Sequence, residues 1–177
     1  MNNLFFINKI IIKMSIFNVH NTSLISLENE DRLKYYTRII ICSDNNITNL
    51  KGIEMCVNLI KLICSNNSIE SLEQLKNCVN LNELNCSENI LDNLEGIERC
   101  DKLNKLNCSS NYLNDLIELE DCINLYILKC ENNTIENLEG IENCINLFNL
   151  DCSLNKLTSL MELENCVNLI ELKCSSN

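Results

Sequence analysis

The chain has 177 residues, 46% of them apolar and 22% charged, with a formal net charge of −11. That length suits one domain or one short repeat array. The acidic balance argues against nucleic acid and anionic membrane surfaces as partners, because both are held by clusters of Lys and Arg. Pro and Trp are absent and Gly occurs only three times, so the turns must rest on another residue. Asn, abundant throughout, is the natural substitute.

In chain order, Leu4 to Phe17 is apolar but interrupted by Lys9 and Lys13. It lacks the basic start and small-residue cleavage site of a secretory signal, and it is too short to span a bilayer. Residues 1–23 carry no usable pattern and stay unassigned, with Met1 and Met14 both candidate starts. Leu24, Leu27, Leu33 and Tyr36 keep a three-residue beat without the Asn and Cys of later segments. Residues 24–36 are therefore expected to form a degenerate N-terminal capping unit, such as repeat arrays need to shield their first core face.

From Thr37 onward the chain is periodic. Cys42, Cys64, Cys86, Cys108, Cys130, Cys152 and Cys174 recur every 22 residues, and so do Cys56, Cys78, Cys100, Cys122, Cys144 and Cys166. A third column is Asn45, Asn67, Asn89, Asn111, Asn133, Asn155 and Asn177. The unit reads L-x-x-L-x-C-S-x-N-x-[IL]-x-x-L-x-x-[IL]-x-x-C-x-[NK], giving six full repeats over 37–168 and a partial seventh over 169–177. Self-similarity at such a period marks a solenoid.

Within the unit, Leu84 and Cys86 alternate at period 2, as on a strand with one buried face. Leu91, Leu94, Ile97 and Cys100 follow at every third residue, which suits a 3₁₀-like or irregular return path. Seven strands at ~4.8 Å would make a sheet of roughly 30 Å. The Asn column is expected to satisfy the backbone of the turn after each strand, in its own coil and the neighbouring one. Gly52, Gly96 and Gly140 fall in alternate repeats. Duplication of a two-repeat block accounts for that 44-residue superperiod, and so does a positive φ needed in every second coil.

The stretch L-x-x-L-x-C-x-x-N-x-[IL] resembles the leucine-rich-repeat signature, with Cys in the third apolar slot, over Thr37 to Asn177. The 22-residue length is similar to the short class found in a regulatory subunit of protein phosphatase 1 and in bacterial internalins. The resemblance implies an α/β repeat solenoid, a right-handed coil with a parallel β-sheet on its concave face and short 3₁₀ or irregular segments on its convex face.

The cysteines do not read as metal or redox chemistry. Structural zinc sites gather ligands through short spacings such as C-x₂-C, whereas consecutive cysteines here are fourteen or eight residues apart, in apolar columns. A thiol there behaves as a small hydrophobe. In-register neighbours ~4.8 Å apart stand wider than the ~3.8 Å Cβ separation of a disulfide. An odd number of thiols in this setting fits a reducing, cytoplasmic compartment. Neither metal nor cofactor is expected.

Catalysis has little to work with. The one histidine, His20, lies outside the array, and no phosphate-binding or nucleophile-elbow motif occurs. The column Ser43, Ser65, Ser87, Ser109, Ser153 and Ser175, broken by Glu131, reads as a turn-facing hydroxyl row. Glu54, Glu98, Glu120, Glu142 and Glu164 read as a solvated convex face.

The outward strand positions remain, and unlike the core columns they vary from coil to coil. Among them Ile63, Lys105, Tyr126, Ile127, Lys129, Phe148 and Ile170 form the candidate partner-binding site, since exposed aromatic and aliphatic clusters mark interfaces. The expected function is a non-catalytic protein-interaction module or adaptor that binds an unidentified protein through the concave sheet. The alternatives are a structural spacer array, a fragment of a longer leucine-rich-repeat protein, or a regulatory subunit of an enzyme such as a phosphatase. The strand near Glu171 to Cys174 presents an open edge, so end-to-end association through that coil is a further expectation.

Overall fold

A computed structural model describes residues 16–31 and 33–177. Eight strands of three residues each form one parallel sheet in chain order: β1 Ile16–Asn18, β2 Ile39–Ile41, β3 Lys61–Ile63, β4 Glu83–Asn85, β5 Lys105–Asn107, β6 Ile127–Lys129, β7 Asn149–Asp151 and β8 Glu171–Lys173. From β2 onward each strand pairs with the next at a step of 22 residues, as Ile39 with Lys61 and Lys61 with Glu83. The fold is the parallel-strand solenoid that the period implies.

Among the described residues the expected seven strands are eight. β1 lies in the stretch that shows no sequence pattern, and Ile16 pairs with Ile39 at a step of 23. Phe17 and Val19 take the buried places held later by Leu and Cys. The segment 24–36 supplies the return path of this first coil, with Leu27 and Leu33 buried and Leu24 packed against the core. The stretch Leu4 to Ser15, and with it the choice between Met1 and Met14, lies outside the described residues.

From β2 to β7 each strand buries its central residue: Ile40, Leu62, Leu84, Leu106, Leu128 and Leu150 are all closed to solvent, while Leu172 of β8 is exposed. The period-2 reading thus gives the register correctly. The return paths carry 3₁₀ turns at Ile53–Met55, Glu73–Leu75, Ile117–Leu119 and Met161–Leu163. A 3₁₀ turn places every third side chain on one side, which seats Leu72, Leu75 and Cys78 in one continuous core with the coils before and after. Twelve of the thirteen cysteines are buried there. Cys174, on the last coil, is exposed.

The Asn column works as a backbone clamp between coils. Asn111 donates from Nδ2 to the carbonyls of Cys108 (3.0 Å) and Ser109 (3.2 Å) in its own turn and of Cys86 (3.1 Å) in the preceding coil. Its Oδ1 accepts the Leu91 N–H at 3.0 Å. Asn89, Asn133 and Asn155 repeat the same set. The residue before each Asn takes positive φ, as Asp44, Asn66, Glu88, Ser110 and Asn132 do. Such a turn leaves inward amides and carbonyls that only a short side-chain amide reaches from both sides.

The structure also decides the glycine superperiod. Gly52, Gly96 and Gly140 have φ of +100°, +114° and +103°. A Cβ on Gly96 or Gly140 would stand 2.2 Å from the carbonyl oxygen of Leu72 or Leu116 in the previous coil. Physical need, not descent alone, holds these positions. The glycine N–H groups donate to Glu54 (2.7 Å), Glu98 (3.0 Å) and Glu142 (2.8 Å). The glutamate column is therefore only partly a solvated face: these three cap a turn, while Glu120 and Glu164 are exposed.

Candidate functional site: the outward face of the sheet

Alternation along three-residue strands sends the first and third side chains outward. Lys105 and Ile127 stand in register on β5 and β6, and Lys129 is the third residue of β6. Tyr126 and Phe148 immediately precede β6 and β7, and Ile170 precedes β8. Their rings stack, with centroids 4.9 Å apart and planes 12° from parallel. Such a pair is worth about 0.5–1.5 kcal/mol beyond area burial, so the two aromatics form one rigid apolar plate. Tyr126 is 39% exposed and Ile170 73%. Ile63, by contrast, sits three coils away on β3, half-buried, and the structure does not bring it into the cluster.

A second exposed apolar column, on the return path, was overlooked by sequence reasoning. Ile123, Ile145 and Val167 stand three residues before Tyr126, Phe148 and Ile170, and are 51%, 51% and 82% exposed. They are the unassigned slot after Cys in the repeat formula, where Val or Ile recurs in five coils and Asp101 breaks the row. That recurrence was the available signal.

The electrostatics of the face differ from those of the chain. The outward rows from Arg38 onward carry Arg38, Lys61, Lys105, Lys129 and Lys173 against Glu83, Asp151 and Glu171, whereas the whole chain has 14 basic and 25 acidic residues. Lys61 pairs with Glu83 at 2.9 Å and Lys173 with Asp151 at 3.4 Å, while Glu171 accepts a hydrogen bond from Asn149. Near the other end of the sheet, Ile16, Ile39 and Ile60 help line a cavity of about 400 Å³ with Arg38 at its side.

The remaining groups read as architecture. The thiols of Cys42, Cys78, Cys86, Cys100, Cys122, Cys144 and Cys152 are pushed by burial from 9.0 up to about 12. Burial carries Cys64, Cys108 and Cys130 well above the ordinary value. A thiol held protonated in this way is a poor nucleophile and a poor metal ligand. Their Sγ–H groups donate to main-chain carbonyls, as Cys86 to Asn107 and Cys100 to Cys78. The serine hydroxyls serve the turns, Ser87 and Ser109 donating to Asn85 and Asn107. His20 meets Asp44 at 3.1 Å, both partners exposed. Among the described residues no three His, Cys, Asp or Glu converge as metal ligands would, and no helix is long and apolar enough to cross a membrane.

Comparison with known proteins places this geometry. The family described as Leucine Rich repeats (2 copies) matches residues 57–99. Among solved structures, the functional domain of InlJ from Listeria monocytogenes, which includes a cysteine ladder, is similar with a TM-score of 0.84 and 30% identity. The match covers 94% of this chain and 36% of that one. A leucine-rich-repeat protein of Leptospira interrogans aligns with a TM-score of 0.82 and 29% identity, over 88% of this chain and 41% of its own. The internalin InlF of Listeria monocytogenes, at 24% identity and a TM-score of 0.76, covers 88% of this chain and 46% of its own, and shows the fold alone. The chain thus spans between a third and a half of the length of these structures. None of the curated proteins matches it. The 22-residue period, the parallel coil, the family match and these structural likenesses agree: the chain is a leucine-rich-repeat protein of the 22-residue class.

Proposed function

We propose that the chain is a non-catalytic protein-binding module whose partner docks on the concave sheet over Tyr126, Ile127, Phe148 and Ile170, with Lys105 and Lys129 beside them and Ile63 further along the face. Leucine-rich-repeat arrays are typically interaction modules, and solenoid curvature gives them extended concave surfaces for that purpose. The observation that carries the reading is the stacked, outward Tyr126–Phe148 pair. A spacer needs only polar groups there, whereas aromatic anchors supply large buried area for little lost side-chain entropy. The thirteen free thiols support a reducing, cytoplasmic setting.

The test is quantitative affinity capture with the wild-type chain, with Tyr126→Ala plus Phe148→Ala, and with Glu120→Ala plus Glu164→Ala on the convex side. The aromatic pair should keep its circular dichroism and lose its principal partner by about 2 kcal/mol, roughly thirtyfold. The convex pair should bind as wild type. Loss with the convex pair and retention with the aromatic pair would reverse the assignment of faces.

A further inference from the structure

We infer that the segment docking on this face is acidic, its carboxylates meeting Lys105 and Lys129 while an apolar side chain next to them covers the Tyr126–Phe148 plate. The inference rests on the concave-face reading and specifies the chemistry of the partner. Lys105 and Lys129 lie on adjacent strands, one in register with Ile127 and the other two residues beyond it. Strand spacing and rise put their Cα atoms roughly 8 Å apart, a span over which two long amine side chains converge on one carboxylate or hold two neighbouring ones.

Neither lysine has a carboxylate within salt-bridge distance among the described residues, although each has an acidic in-register neighbour. Glu83, beside Lys105, turns to Lys61 at 2.9 Å. Asp151, beside Lys129, is met by Lys173 at 3.4 Å. Exchange of rotamers does not remove the surplus, because the outward rows hold five cations and three anions however they pair. In a chain of net charge −11, a face with cations to spare is a local reversal of sign. At physiological salt the Debye length is about 8 Å, so the acidic groups of the convex side are largely screened from a ligand here. Such a reversal selects partners by charge and orients them as they arrive.

The probe is a phage-displayed library of random twelve-residue peptides, panned on the full chain and counter-selected on the Tyr126→Ala, Phe148→Ala variant. Enriched peptides should be richer in Asp and Glu than the starting library, with an aromatic or aliphatic residue adjacent. A synthetic copy of the best peptide should lose at least tenfold in affinity against Lys105→Glu with Lys129→Glu, and should bind more weakly in 300 mM than in 50 mM NaCl. A copy with every Asp and Glu changed to Lys should not bind wild type. Face-dependent peptides that are neutral or basic overturn the acidic assignment and leave the docking face standing. The absence of any enrichment that depends on Tyr126 and Phe148 overturns both.

Discussion

Raising the pH from 8 to 10 should unfold the array, and the buried thiol columns set the size of the effect. Ten cysteines are held by burial at about 12 or well above the ordinary value of 9.0. These acids have folded values raised above their unfolded ones. Their contribution is therefore complete below pH 9 and is lost as the pH climbs from 9 toward 12, because only the unfolded chain can ionise them. By linkage each thiol loses roughly half a kcal/mol at pH 9 and on the order of 1 kcal/mol at pH 10. Ten together lose a few kcal/mol by pH 9 and on the order of 10 kcal/mol by pH 10, against a total stability of roughly 5–15 kcal/mol for a folded domain. Urea midpoints followed by circular dichroism at pH 7.5, 8.5, 9 and 9.5, under a phosphine reductant, should fall steeply, with about five protons released on unfolding at pH 9. As an internal control, a thiol reagent at pH 7.5 should label Cys174 rapidly and the other twelve only after denaturation. A midpoint that holds steady to pH 9.5, or rapid native labelling of several thiols, would show that the columns are not closed to solvent.

Two further outcomes test the coil itself. Asn111→Ala should cost about 2–3 kcal/mol in urea unfolding, because Leu91 N–H is buried and loses its acceptor. The three carbonyls it also serves keep partners in Asn89, Asn133 and the Glu88 N–H. Asn114→Ala, exposed on the return path, should stay within about 0.5 kcal/mol, and equal effects at both sites would mean that the turn is not where the amide acts. Gly96→Ala should cost more than about 3 kcal/mol, through a φ of +114° and a backbone oxygen 2.2 Å from the new Cβ. Gly52→Ala, with 2.7 Å to its nearest oxygen, should cost less, and a reversed order in thermal unfolding would overturn the close-approach account.

Sequence alone determined the solenoid, because each coil repeats the same burial problem and solves it with the same residues. Leu, Cys and Asn recur at 22 because they face inward to identical neighbours, and period-2 alternation around Leu84 and Cys86 set the strand register without any tertiary information. It placed Lys105, Ile127 and Lys129 outward for the same reason, whereas Tyr126 and Phe148 precede the strands and their stacking emerged only from the fold. What lay beyond it were the features that depend on contact between coils. The first coil escaped notice because it steps by 23 residues and fills the Leu and Cys slots with Phe17 and Val19, so a search at fixed period loses phase. The glycines were ambiguous because a Cβ clash with Leu72 or Leu116 exists only once the preceding coil is stacked beneath them. The same holds for the charges: Lys105 and Lys129 are unremarkable in the chain, and stand out only when parallel pairing aligns Glu83 and Asp151 with competing lysines. Periodicity fixes what each residue faces within its own coil, and stacking decides what it meets in the next.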